Sequence, residues 1–362
     1  NQGPLIVHIL NSVYGDSTGG RWSATLKTGE LLTQRGHRVT LLIAPEDAGK
    51  VPDYAGTNID VVTLRNSGHY DLIASWRARR LIRARKIDAV IAHSGRAIHM
   101  LKRAVPTGVP VIAFNHSHNI KRTLKADAFF CITPYMKQIV DAATGATKPA
   151  YVISNAVNVP PDELLVRPEN PVFTVGAMAR MAPNKGVSDL VEALGLLSRE
   201  GVAFRAVIAG DGEVRAQLEA RVAELGLQDR VSFPGWLRAE QKQAFFRDAD
   251  VICFTSEWDV QPLVILESFA WGRALIGTDI DGPSSCYEDA KTALVVPPND
   301  PFALAVALRR LHDDPVLRST LATNARRQAR GAYADEVIAE LLDSHVSDLV
   351  ARARGGEARR GA

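Results

Sequence analysis

The chain has 362 residues, more than one hydrophobic core usually supports, so two domains are expected. Hydrophobic residues make up 46% and charged residues 23%, which excludes a disordered chain, and apolar runs such as "VTLLIA" and "ALVV" are far too short for a bilayer span. The formal charge of +3 conceals an asymmetry: residues 1–160 carry 20 Lys and Arg against 10 Asp and Glu, the remainder 23 against 30. The first part therefore attracts anions and the second does not.

The opening "NQGPLIVHIL" runs into a strand without the basic start or small-residue cleavage site of a secretory signal. Cys131, Cys253 and Cys286 are odd in number and too widely spaced for a zinc knuckle, and Cys253 sits in an apolar run. A reduced, cytoplasmic protein is expected.

In chain order, "PLIVHIL" is a strand bounded by the glycine-rich "NSVYGDSTGG", and "WSATLKTGELLTQRG" has helical spacing with Gly36 as its C-cap. "HRVTLLIA", "DAVIAH", "VPVIAF" and "AFFCIT" follow as buried strands. The pattern restarts at "FTVGAMA", after the proline-rich "NVPPDELLVRPENP" of residues 158–171, the expected linker. Strands "RAVIAG", "RVSFPG", "DVICFT" and "RALIGT" come next, each with a loop and a helical segment behind it. Continuous apolar strands alternating with helices predict an α/β protein of two doubly wound, Rossmann-like domains facing across a cleft. The expected boundaries are 1–160 for an N-terminal domain, 161–330 for a C-terminal domain, and 331–362 for a closing helix with a basic tail. Ligands in such sheets bind outside the carboxyl ends of the strands.

Three constellations fall there. Gly19-Gly20 lies where the first strand turns into a helix, so the backbone can approach an anion beside free N–H groups; an ordinary tight turn explains the pair equally. "GDSTGGRW" is neither a G-x-G-x-x-G fingerprint nor a P-loop, because Arg21-Trp22 replaces the lysine and the hydroxyl. In "GAMARMAPNKG", Arg180 and Lys185 sit between a strand and a helix start expected at 185–188, a seat for a diphosphate or simply a pair of solvated loop cations. In "TSEWDVQPLVILESFAWG", Asp259 and Glu267 are eight residues apart, with Pro262 in the first turn of the intervening helix. Glu267 then faces the cleft, suited to a ribose diol, and the Leu263 and Val264 N–H groups are unpaired at the helix start; an ordinary acidic helix terminus is the alternative.

Taken together, these blocks resemble the retaining glycosyltransferases of family 4, which have the GT-B fold, and in particular those of the bacterial cell envelope and lipopolysaccharide core. The resemblance covers nearly the whole chain, including "LLTQRGHRVTLL", "VISNAVNV", "GAMARMAPNKGVSDLVEAL", "VIAGDGEVRAQLEARVAELGLQDRVSFPGW" and "TALVVPPNDPFALAVALRRLHDDP". It implies a donor-binding set of Gly19, Gly20, Arg180, Lys185, Gly210, Leu263, Val264 and Glu267. The family's Glu-x7-Glu maps onto Asp259 and Glu267, the second on the ribose and the first on the donor sugar. His116 matches a histidine beside that sugar, so His116 and Asp259 are the catalytic candidates. His93 and Trp22 are candidates for sugar or acceptor contact. His118, in the same loop as His116, is either a cleft residue or a structural hydrogen-bonder, and Trp236 lies near the expected base pocket or in the core. This chain departs from the family in Asp at 259, in Val260-Gln261-Pro262 for Gly-Phe-Gly, and in Gly282-Pro283-Ser284-Ser285 without an acid.

No cofactor and no metal are expected: the Asp248-Ala-Asp250 and Asp279-Ile-Asp281 strings are read as structural, since cations already serve the diphosphate. The resemblance implies retaining, metal-independent hexosyl transfer from a nucleotide-sugar, UDP-linked, to a hydroxyl of a cell-envelope glycan or glycolipid. With no residue placed as a nucleophile, same-face attack is expected, the leaving phosphate oxygen taking the acceptor proton. A nucleotide-sugar epimerase, and a non-catalytic nucleotide-sugar sensor or membrane adaptor, stay open as alternatives. Residues 70–88 interleave Leu72, Ile73, Trp76, Leu81 and Ile82 with six cations, a basic amphipathic helix for an anionic membrane surface or a helix whose apolar residues are core. The location is accordingly cytoplasmic, free or peripheral at the inner face of the cell membrane. Nucleic acid is not expected as a partner, because no aromatic platforms separate the basic clusters.

Overall fold

The structure is a computed structural model that describes residues 5–15, 19–166 and 172–358. Residues 16–18 of the first glycine-rich loop, 167–171 of the proline-rich stretch and 359–362 of the basic tail lie outside the described residues. The chain divides into two compact units, residues 1–156 with 335–362, and residues 157–334.

The first unit runs β1 (His8–Ser12), α1 (Gly20–Gln34), β2 (Arg38–Ile43), β3 (Ile59–Thr63), α2 (Leu72–Arg85), β4 (Ala89–Ala92), α3 (Gly95–Ala104), β5 (Val111–Asn115), β6 (Ala128–Cys131), α4 (Pro134–Thr144) and β7 (Ala150–Val152). Its sheet has the order β3-β2-β1-β4-β5-β6-β7 and is parallel throughout. β1, β4, β5 and β6 are buried at every residue, which is why they read as unbroken apolar runs. The edge strands β3 and β7, absent from the sequence reading, are partly exposed and carry no such run. The chain winds one way through β2 and β3, then returns to β4 on the other side of β1. The loops after β1 and β4 therefore diverge and leave a crevice at their carboxyl ends.

The second unit runs β8 (Phe173–Met178), α5 (Val187–Arg199), β9 (Phe204–Ala209), α6 (Arg215–Glu224), β10 (Val231–Ser232), α7 (Ala239–Asp248), β11 (Val251–Phe254), α8 (Leu263–Ala270), β12 (Ala274–Thr278), β13 (Leu294–Val296), α9 (Pro301–Asp313) and α10 (Pro315–Gln328). Its parallel sheet has the order β10-β9-β8-β11-β12-β13, with the switch point between β8 and β11. Met181, Val187, Leu190, Val191 and Leu194 pack on one face of this sheet, and Phe246, Ile265, Phe269 and Leu275 belong to a second buried cluster.

Two expectations about the connections change. The described part of the supposed linker is bound to the second unit: the Pro160 carbonyl accepts from Arg326 Nη2 at 2.7 Å, and Asp162 pairs with Arg326 and Arg330, both at 2.7 Å. The closing segment does not act as a region of its own. Residues 331–334 stay with the second unit, while α11 (Asp335–Ala358) belongs to the first. Buried Ile338, Leu342, Val346 and Val350 recur every four residues along α11, giving it an apolar stripe. Lys27–Asp335 at 2.6 Å and His37–Asp343 at 3.1 Å tie it to that unit.

Candidate functional site

In the first unit the crevice between β1 and β4 holds a chain of three polar side chains. Asn11, near the end of β1, is fully buried; its Nδ2 donates to the Thr25 carbonyl at 2.7 Å. Its Oδ1 is therefore the acceptor for His93 Nε2–H at 2.9 Å. His93, directly after β4, is buried, and its pKa lies well below the usual histidine value because of burial, then His116 and Arg21. The neutral ring protonated on Nε2 offers Nδ1 as acceptor, and His116 Nε2 lies 2.8 Å from it. His116, directly after β5, is thus held with Nε2 as the donor. His93 stands behind His116 as a positioning group.

This burial carries a signed pH dependence. The unfolded ring binds a proton below about 6.5 and the buried ring does not, so stability falls as pH drops through that value. His93→Gln should remove this component, worth up to about 1.4 kcal/mol for each pH unit below the unfolded pKa. Melting temperatures of both proteins from pH 8 to pH 5 check it; parallel profiles would contradict the assignment.

The other candidates of this unit separate. Gly19 is the extended N-cap of α1, and a β-carbon built on Gly20 would meet nothing within 4 Å among the described residues. Trp22 corrects the expectation of a sugar or acceptor contact: it is 6% exposed and is not among the residues lining the crevice. Its position in α1 turns the indole into core. His118 packs edge-on against Tyr135 at 5.2 Å and does not line the crevice.

In the second unit, the loops after β8, β9, β11 and β12 converge at the switch point. Met181 N–H donates to the Asp211 carbonyl at 2.9 Å, and Glu257 N–H donates to the Asn184 carbonyl at 3.0 Å, joining the Arg180–Lys185 loop to its neighbours on either side. Gly210 has φ 117°, and a β-carbon there would overlap the Ala179 carbonyl oxygen. Gly210 therefore packs against the backbone next to Arg180. Gly282 (φ 92°) similarly presses on the Val260 carbonyl oxygen, bringing the Pro283-Ser284-Ser285 turn beside Asp259.

Arg180 is exposed; its carbonyl accepts from the Ala182 N–H at 2.9 Å, and its side chain has no hydrogen bond or ion pair among the described residues. Lys185 closes a short 3₁₀ turn, Pro183–Lys185, and α5 begins at Val187 behind the N-cap Gly186. Its Nζ lies 2.8 Å from Asp259 Oδ2, both side chains being less than a quarter exposed. Asp259 Oδ1 accepts from the Val260 N–H at 2.8 Å. The sequence reading gave Lys185 to the diphosphate and Asp259 to the sugar; the structure joins them as an ion pair.

Pro262 is the N-cap of α8 rather than a first-turn residue, and no side chain caps the helix. The N–H groups of Leu263 and Val264 precede the first intrahelical acceptor and so have none within the helix. Glu267, the fifth residue of α8, is paired through Oε1 with Lys242 Nζ of α7 at 2.6 Å. Its Oε2 is buried with no hydrogen-bond partner among the described residues. Burial raises the Glu267 pKa and Lys242 opposes the shift. A buried acceptor oxygen left over at a switch point is costly unless a ligand donor meets it. Lys242 escaped the sequence reading because α7 carries no local signal tying it to α8.

Among the described residues no group of three His, Cys, Asp or Glu side chains could hold a metal ion. Asp248 pairs with Arg247 at 2.8 Å, Asp250 accepts from the Thr174 N–H at 2.8 Å, and Asp279 accepts from the Ser284 hydroxyl at 3.1 Å. Trp236 is largely exposed.

Residues 18–159 match the description "Glycosyltransferase Family 4" and residues 166–328 "Glycosyl transferases group 1". The chain is 27% identical over 317 residues to the lipopolysaccharide core biosynthesis glycosyltransferase LpsD of Rhizobium meliloti, a match spanning 85% of this chain and 89% of that protein. To the alpha-D-kanosaminyltransferase of Streptomyces kanamyceticus it is 36% identical over 148 residues, 41% of this chain and 38% of that protein's length. Among solved structures, a glycosyltransferase from Rickettsia africae superposes with a TM-score of 0.79 at 18% identity, covering 95% of this chain and 99% of that one. Anabaena Alr3699/HepE in complex with UDP-glucose superposes at 0.74 with 18% identity, covering 94% and 100%. These likenesses show the GT-B fold.

Proposed function

The chain belongs to glycosyltransferase family 4, and from that premise we propose that it moves a hexose from a UDP-linked donor to a hydroxyl of a cell-envelope glycan or glycolipid, with retention of configuration. The observation that carries this reading is that the loops at one switch point hold both an exposed Arg180, whose side chain has no partner among the described residues, and a buried Glu267 oxygen left without a hydrogen bond there. Arg180, Lys185 and the first N–H groups of α8 stabilise the diphosphate as the C1–O bond to it breaks. Glu267 Oε2 accepts from the ribose diol. Asp259 orients the sugar hydroxyls, and His116 of the first unit donates through Nε2 to a substrate hydroxyl. The acceptor oxygen bonds to C1 from the same face, and its proton passes to the leaving phosphate oxygen. The lipopolysaccharide role of LpsD supports the envelope acceptor, and the UDP-glucose complex of Alr3699/HepE supports the donor.

A thermal-shift screen of nucleotide-sugars tests the donor: at 100 times its Kd a true donor adds roughly 2.7 kcal/mol of stability. Proton NMR of the product then reads the anomeric configuration. An inverted product would refute retention, and no shift with any UDP-sugar would refute the donor.

The chain's face toward a bilayer is α2. No helix among the described residues is long and apolar enough to cross a membrane. Tyr70, Leu72, Ile73 and Trp76 are 81%, 69%, 65% and 57% exposed, while Ala74, Ala78 and Ile82 fill the core side. Arg80 lies 5.0 Å over the Trp76 ring, and Arg77, Arg79 and Arg83 are exposed beside it. Exposed apolar groups ringed by cations fit an anionic lipid surface. The full chain should float with vesicles containing phosphatidylglycerol and not with phosphatidylcholine alone. Arg79→Gln/Arg80→Gln should weaken partitioning roughly 30-fold, from about 1 kcal/mol per cation. Equal flotation on both lipids would remove the membrane surface from the proposal.

A further inference from the structure

The crevice of the first unit opens into a cavity of about 560 Å³ lined by Arg21, Arg96, Lys121 and Arg122, and no carboxylate lines it among the described residues. None of the four forms an ion pair or side-chain hydrogen bond among those residues. Elsewhere in the same unit Lys27, Arg85 and Lys102 are each matched to an aspartate. The four come from three separate segments, the start of α1, the start of α3 and the loop after β5.

Two of them stand where local structure disfavours them. Arg21 and Arg96 are each the second residue of a helix, and the positive end of the helix dipole opposes a cation there. Gly95, the first residue of α3, lets the loop after β5 press on this helix start: a β-carbon at 95 would lie 2.6 Å from Arg122 Cβ. The fold thus holds Arg122 against the start of a helix that already carries Arg96. Neighbouring rings register the field: Arg122 and Arg96, after burial, lower the His69 pKa, and Arg21 adds to the lowering at His93. Unpaired like charges gathered at helix starts are unfavourable unless an anion joins them. The cavity exceeds what a single phosphate needs and falls in the range that encloses a small organic ligand. Asn115, Ser117 and Asn119 on its wall supply the amide and hydroxyl groups that saccharide hydroxyls bond.

We propose that this cavity selects the acceptor by an anionic substituent carried on a sugar, a phosphate or carboxylate seated among Arg21, Arg96, Lys121 and Arg122. This rests on the reading above, in which the donor diphosphate is held by Arg180 and Lys185 of the second unit.

The test titrates the full chain, by ligand-observed NMR, with glucose 6-phosphate, glucuronate, glucose and inorganic phosphate. At least one charged sugar should bind, at least tenfold more tightly than glucose and than inorganic phosphate. Arg96→Gln/Arg122→Gln should weaken that binding about tenfold or more. The exposed Lys121→Gln, the milder variant, should weaken it in the same direction. The stabilisation by UDP should be unchanged in both. Binding of neither charged sugar, equal binding of glucose or of inorganic phosphate, or unaltered affinity in both variants would overturn the proposal. Displacement of the charged sugar by UDP would also overturn it, by assigning the cations to the donor. A wild-type chain that binds the charged sugar but not UDP would instead sink the donor reading and leave this one standing.

Discussion

Arg180→Ala and Lys185→Ala should each lower sugar transfer by roughly 10²–10³-fold, the usual loss when one preorganised donor is removed from a developing negative charge. The two should differ in stability. The Arg180 side chain is exposed and has no partner among the described residues, so its removal should leave the melting temperature almost unchanged, within about 0.5 kcal/mol. Lys185 is half-buried against Asp259 at 2.8 Å, and its loss leaves that carboxylate with only the Val260 N–H among the described residues. A cost of about 1 kcal/mol is expected, between the values for exposed and for buried pairs. Both variants should also lose the stabilisation by UDP-sugars. Full transfer and unaltered donor binding in either would remove it from the diphosphate seat. The combined variant should fall short of the product of the two losses, because both cations serve one diphosphate.

Gly210→Ala should have the largest effect on the second unit itself. At φ 117° an L side chain is strained, and the added β-carbon would overlap the Ala179 carbonyl oxygen, a backbone atom that no rotamer change can move. Strain and overpacking each cost on the order of 1–3 kcal/mol, so a loss of about 3 kcal/mol or more is expected. For a unit of this size that corresponds to a fall in melting temperature of roughly 6–12 °C. Relief by shifting the Ala179 backbone would displace Arg180, so any folded variant should bind UDP weakly. A variant with wild-type melting temperature and UDP affinity would show that the loops after β8 and β9 do not depend on each other.

The doubly wound architecture of each unit was legible in the sequence because a parallel sheet covered on both faces needs unbroken apolar strands. "DAVIAH", "VPVIAF", "DVICFT" and "RALIGT" are such runs, each followed by a loop and a helix. The candidates after those strands were legible for the same reason: a strand end in such a sheet is also a site end. Partly exposed edges such as β3 and β7, with no comparable run, were not.

What the sequence determined by itself is therefore the class of fold, the loops to examine and, through resemblance, the family. Only the tertiary structure decided which of those residues meet. Lys185 and Asp259 are 74 positions apart, Lys242 and Glu267 are 25, and Asn11 and His93 are 82. Periodicity cannot report such contacts, because they arise from the order in which strands lie side by side. The same holds for α11, whose apolar stripe says that it must be covered but not by which unit. It holds most of all for Arg21, Arg96, Lys121 and Arg122, which no motif or spacing joins along the chain. They gather because β1, β4 and β5 are neighbours in one parallel sheet, and every loop at their carboxyl ends opens on the same side.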